Sequence, residues 1–135
     1  MWISLWSESY PLSSPVICSE ILDIISEYRV YCVFGQVKGV SKYGKESSLD
    51  IALDMDVVLK VSKILFESDE SLDGCAIDFG IVKKDDGYAT ILVEVNDGIF
   101  TGYYEGVTKK DFSEMFLARW WQILKISENH SEIKV

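Results

Sequence analysis

The strongest constraint on the fold lies between Cys75 and Val95. Cys75 to Val82 and Tyr88 to Val95 alternate apolar and polar residues, and Lys83-Lys84-Asp85-Asp86-Gly87 joins them. Asp-Gly between two alternating runs supplies the residues that tolerate positive φ, so the segment reads as a β-hairpin. A hairpin cannot bury its apolar face alone; it needs more strands or a helix against it.

The rest of the chain offers both. Glu27 to Gly44 carries Tyr28, Val30, Tyr31, Val33 and Phe34, then a turn at Gly35-Gln36 and a return from Val37 to Tyr43, a second hairpin. Val16–Ile25 fits helical spacing at Ile21, Ile24 and Ile25 but is rich in β-branched residues, and it is read as strand. Asp50 to Phe66 reads as a helix, with Ser48 or Asp50 as cap and Val57, Val61, Ile64 and Leu65 facing the core. Lys109 to about Ser127 is the second helix, capped by Thr108, with Phe112, Phe116, Trp120 and Ile123 on its packing face and Met115 and Leu124 beside them. For the Trp120-Trp121 pair, core packing of at least one indole is expected. The order hairpin, helix, hairpin, helix defines an α+β fold: a mainly antiparallel sheet of two hairpins backed by two α-helices.

One domain of 135 residues is expected: an N-terminal arm and loop over 1–15, a core over 16–127 and a polar tail over 128–135. The net charge of −9 argues against nucleic acid, whose phosphates require clustered Lys and Arg, and against anionic membranes. Three cysteines without a CxxC pair, an N-terminus without a basic n-region and no apolar run long enough to span a bilayer point to a cytoplasmic protein. The single His130 cannot supply a zinc site or a catalytic pair, so Cys18, Cys32 and Cys75 are read as core thiols.

Chemistry concentrates on the 75–97 hairpin. Glu94 and Asn96 are two apart on a strand and share a face, and closing the hairpin sets Asp78 roughly opposite one of them. Two carboxylates and an amide oxygen are hard donors of the kind that hold Mg²⁺. The same three residues also suit the solvent face of a strand whose core face is Ile77, Phe79, Val93 and Val95. Asp78 within Ala76-Ile77-Asp78-Phe79-Gly80, followed by Leu92-Val93-Glu94-Val95-Asn96-Asp97-Gly98, resembles the C-terminal half of the ATP-grasp superfamily. Glu27 to Val33 with Lys38 to Tyr43 resembles the upstream strand pair of phage and bacterial ATP-grasp-like proteins, and Leu117-Ala118-Arg119-Trp120 resembles their closing helix. The resemblance covers roughly residues 15 to 124. It implies that Asp78, Glu94 and Asn96 hold the Mg²⁺ that bridges ATP phosphates, as in an ATP-dependent carboxylate–amine ligase. Two family features are absent: Gly35, Gly39 and Gly44 are too scattered for a phosphate loop, and Ala76 stands where several members carry Arg.

Two functions therefore compete. With the preceding half of an ATP-grasp enzyme missing from the sequence, the first expectation is a non-enzymatic, cofactor-free acidic protein that masks a basic protein partner, as an immunity protein blocks a toxin nuclease. Its contact candidates are Asp50, Asp54, Asp56, Glu67, Asp69, Glu70 and Asp73. The second is a ligase component that binds Mg²⁺ and ATP through Asp78, Glu94 and Asn96.

Overall fold

A computed structural model describes residues 15, 20–43 and 51–131, with side chains as far as 126. Four strands and two helices follow the order read from the sequence: β1 Ile24–Val33, β2 Gln36–Tyr43, α1 Met55–Phe66, β3 Gly74–Lys84, β4 Gly87–Asp97 and α2 Lys109–Ser131. The strands form one sheet in the order β2-β1-β3-β4, antiparallel throughout. Both hairpins are thus present, and a long-range β1–β3 pairing joins them at the centre of the sheet.

Strand alternation divides the core between two faces. Tyr28, Val30, Cys32, Cys75, Ile77, Phe79 and Ile81 lie on one face with Leu53 and with Val58 of α1. Tyr31, Val33 and Ala76 lie on the other, against Val107 and against Met115 and Ala118 of α2. The two helices therefore cover opposite faces of the sheet. Such central strands have no solvent side, which is why Gly74–Val82 is buried without interruption.

Several boundaries differ from the sequence reading for identifiable reasons. The first hairpin turns at Phe34-Gly35, one residue earlier than expected, with φ 48° and 71° at the two positions. Positive φ at both central residues is the type I′ geometry that matches strand twist. A bulky Phe there is held by its N–H, which donates to the Asp73 carbonyl at 2.8 Å. Helix α1 begins after Asp54 rather than at Asp50: the Asp54 carboxylate accepts from the N–H groups of Asp56 and Val57, and its own N–H donates to Thr90 Oγ1. Ser48 and Asp50 lie outside the described residues. Of the residues expected to face the core from α1, Val57, Val61 and Leu65 pack there, whereas Ile64 is exposed and Val58 and Ser62 are the buried pair. Residues 20–23 of the segment read as strand are irregular, and Ile21 is fully exposed with no apolar surface against it. The N-terminal arm and the tail end beyond Ser131 fall outside the described residues.

The largest correction concerns α2. Thr108 caps it as expected, its Oγ1 accepting from Asp111 N at 3.1 Å. The packing face, however, is Phe112, Met115 and Ala118, while Phe116, Leu117, Trp120 and Trp121 are exposed. Trp120 and Trp121 retain 44% and 59% of their accessible surface, so neither indole is core; Trp120 instead stacks on Phe116, with ring centroids 6.3 Å apart. Backbone proximity selects this face. A Cβ on Gly74 would overlap the Met115 carbonyl, and one on Gly98 would lie 2.5 Å from the Gly74 carbonyl. At that distance only small or unbranched side chains fit between helix and sheet.

Candidate functional site

The buried end of the site is an ion pair. Asp78 pairs across β3–β4 with Glu94 and across β1–β3 with Arg29, so three charged side chains stand in a row on the α2 face. Asp78 has no solvent exposure. Arg29 meets it in bidentate fashion, Nε to Oδ1 at 2.8 Å and Nη2 to Oδ2 at 2.6 Å. A buried carboxylate without such a partner would cost several kcal/mol. The carboxylate's hydrogen bonds and charge in turn raise the Arg29 pKa further above its already basic value, with burial acting in opposition.

Two tyrosines wall this pair. Tyr43 Oη donates to Asp78 Oδ2 at 2.9 Å, and the Tyr43 ring stacks on Tyr104 with centroids 5.4 Å apart and 15° between planes. The Arg29 guanidinium lies 5.2 Å and 5.3 Å from the two ring centroids, within cation–π range. Burial, and then the hydrogen bond to Asp78, push the Tyr43 phenol upward in pKa. Tyr104 is placed by the buried Tyr31 hydroxyl, which accepts from Tyr104 N at 3.0 Å and donates to the Gly102 carbonyl at 3.0 Å. The 98–108 loop is thereby fastened to the sheet beside Arg29.

Asn96 links the buried end to the surface. Its Nδ2 donates to Asp78 Oδ2 at 3.2 Å and to Glu94 Oε1 at 3.1 Å. The structure thus brings Asp78, Glu94 and Asn96 into one cluster, with Asp78 opposite Glu94 as the hairpin closure required. A bulge in β4 opposite Asp78/Phe79 inserts Val93 next to Glu94, a feature common beside functional sites. Asp78 itself is a core residue, contrary to a solvent-face assignment, and Val93 and Val95 on the edge strand are partly exposed.

The cluster suits a hard cation in its chemistry but divides the labour unevenly. Asp78 Oδ2 accepts three hydrogen bonds and Oδ1 one, which uses about all the acceptor capacity of a carboxylate. Glu94 is exposed and its only bond in the cluster is to Asn96. Among the described residues, no three His, Cys, Asp or Glu side chains converge on one point, so the third oxygen has to come from the Asn96 amide. The positive edge of that amide already sits between the two carboxylates, where a divalent ion would place its charge.

Sequence reasoning passed over Arg29, Tyr43 and Tyr104. The available signal was Arg29, a lone cation within the apolar run Tyr28–Val33, which a buried strand admits only opposite a carboxylate. The acidic residues weighed for partner binding do not gather. Asp54 and Asp56 stand at the start of α1, whereas Glu67, Asp69, Glu70 and Asp73 follow its end, about 18 Å away for a helix of 12 residues. Asp50 is outside the described residues. None of the helices, among the described residues, is long and apolar enough to cross a membrane.

An antiparallel sheet that carries a carboxylate on one strand and Glu-x-Asn on its neighbour, with helices on both faces, has the composition of an ATP-grasp domain. The comparisons agree: a family model described as an ATP-grasp domain, the second family of its clade, matches residues 4–115, and the chain belongs to that family. No curated protein and no solved structure matches the chain significantly. Nothing in these comparisons supports an immunity or toxin-neutralising role.

Proposed function

We propose that this chain binds Mg²⁺–ATP at the Asp78–Glu94–Asn96 cluster as a component of an ATP-dependent carboxylate–amine ligase. The observation that carries this reading is the Asn96 amide, which joins the buried Asp78 carboxylate and the exposed Glu94 carboxylate into one oxygen-rich site. Glu94 and Asn96 are the direct ligands. Asp78, its lone pairs engaged by Arg29 and Tyr43, fixes Asn96 in place and adds negative charge beneath it. When bound, the metal neutralises phosphate charge and orients the nucleotide; phosphate oxygens and water complete its shell. Arg29, held between two tyrosine rings, keeps Asp78 ionised and immobile so that the amide cannot drift.

Calorimetric titration tests the reading. Mg²⁺–ATP should bind the full chain in the micromolar range, and omitting Mg²⁺ should abolish the heat. Glu94→Gln and Asn96→Ala should each weaken binding at least about tenfold, or about 1.4 kcal/mol. Glu94 is exposed, so its variant should keep the wild-type unfolding midpoint. Equal affinity in wild type and the Glu94→Gln/Asn96→Ala double variant would overturn the assignment, as would the absence of wild-type binding at millimolar nucleotide. Masking of a basic partner rests on charge alone, and the separation of its acidic candidates along α1 gives it no single surface.

A further inference from the structure

The face of the sheet opposite the carboxylate cluster holds a feature unrelated to nucleotide binding. Cys32 of β1 and Cys75 of β3 are register partners in an antiparallel pair, with side chains on the same face. Residues directly opposed in such a pair have Cα atoms about 4.5 or 5.5 Å apart, and both spacings fall within the range a disulfide spans. Both residues are free thiols in the structure. They line a cavity of about 480 Å³ between α1 and the sheet, together with Gly35, Ser62, Leu65 and Phe66. Although little of either residue is in contact with bulk water, the cavity gives reagents a route to both sulfurs.

We propose that Cys32 and Cys75 form a thiol–disulfide exchange site, in which Cys32 is attacked first by a low-molecular-weight disulfide and Cys75 resolves the adduct. The polarity around the pair assigns these roles. The Cys32 thiol donates to Ser62 Oγ at 3.6 Å, and Ser62 donates onward to the Val58 carbonyl at 2.8 Å, so the hydroxyl is fixed beside one sulfur only. The neighbouring Cys75 thiol and then Ser62 favour the Cys32 thiolate, whereas the nearby Cys32 and burial hold the proton on Cys75. The thiolate is the nucleophile in such exchange. Cys32 sulfur bonds to one sulfur of the incoming disulfide and expels the other as a thiolate, which takes up the proton that Cys32 released. Cys75 then loses its proton, attacks the Cys32 sulfur and expels the second small thiol. Two protein thiols are oxidised to one disulfide, and the small disulfide is reduced to two thiols. The product joins β1 to β3 across the centre of the sheet at the floor of the cavity.

Glutathione disulfide is the probe. The folded full chain is incubated with it, alkylated, and digested without reductant for mass mapping. The wild type should lose about 2 Da, its alkylatable thiols should fall from three to one, and a cross-linked peptide should contain Cys32 and Cys75. Cys75→Ser should stop one step earlier, with a single glutathionyl group on Cys32. Three free thiols in the folded wild type, reaction only after denaturation, or a link through Cys18 would each overturn the proposal. Should Cys75→Ser fail to fold, the wild-type peptide map decides the matter alone.

Discussion

Replacing Arg29 by Met removes the cation of the buried pair while keeping most of the apolar stem that Arg29 contributes. The Asp78 side chain is 1% exposed and that of Arg29 11%, so water cannot take the guanidinium's place without opening the sheet. Breaking a buried pair on one side costs about 3–5 kcal/mol, since the remaining charge stays desolvated. Here Asp78 keeps the Tyr43 and Asn96 hydrogen bonds, which places the cost near the lower limit, at about 3 kcal/mol. With a urea dependence of about 2 kcal/mol per molar, the midpoint should fall by about 1.5 M. The informative measurement is the double-mutant cycle with Asp78→Asn. Removing the carboxylate charge first takes away the reason for the penalty, so Arg29→Met should cost at least about 2 kcal/mol less in the Asp78→Asn background. A single-variant cost below about 1 kcal/mol, or a coupling below about 0.5 kcal/mol, would refute the view that Arg29 exists to neutralise Asp78.

Three further expectations follow from the geometry. Asp54→Ala should destabilise the protein by about 1 kcal/mol in urea titration, through loss of the α1 cap, and Asp54→Asn should restore most of it. Gly74→Ala should cost more than about 3 kcal/mol or prevent folding altogether, as its Cβ would overlap the Met115 carbonyl; thermal unfolding reads the loss. The Tyr43 phenol has its folded pKa raised above the ordinary value of 10.0, so the unfolded chain releases this proton first. Its contribution is full below pH 10 and declines as pH rises beyond it; wild-type urea midpoints should therefore fall more steeply above pH 10 than those of Tyr43→Phe.

The parts of this molecule that local chemistry determines were legible from its sequence. Asp85-Asp86-Gly87 places the second hairpin's turn, the strand period puts Glu94 and Asn96 on one face, and closing the hairpin then sets Asp78 opposite Glu94. The β1–β3 pairing is different. It joins residues 49 apart, and no local signal says which strand of each hairpin lies inside. Arg29 could be recognised as a cation in need of a partner, but Asp78 could be named as that partner only once the strand order was known.

Helix α2 shows a second kind of limit. From Phe112 to Leu124 apolar residues cover most of its circumference, so periodicity admits several packing faces. Burying the largest side chains would favour Phe116 and Trp120, and that is the wrong choice. The helix backbone approaches the sheet so closely at Gly74 and Gly98 that bulky aromatic side chains do not fit between them; Met115 and Ala118 do. The two glycines were thus the informative residues, although each stood at a strand boundary where a turn already accounted for it. The same close packing brings Arg119 onto Asp97, with Nε 2.8 Å from Oδ2, one residue beyond Asn96. Anchoring the end of β4 to α2 in this way restrains the strand that presents Glu94 and Asn96. The glycine contacts therefore act on the candidate site without touching it: a side chain at Gly74 would push α2 outward, release the Asp97–Arg119 clamp and loosen the cluster together with the fold.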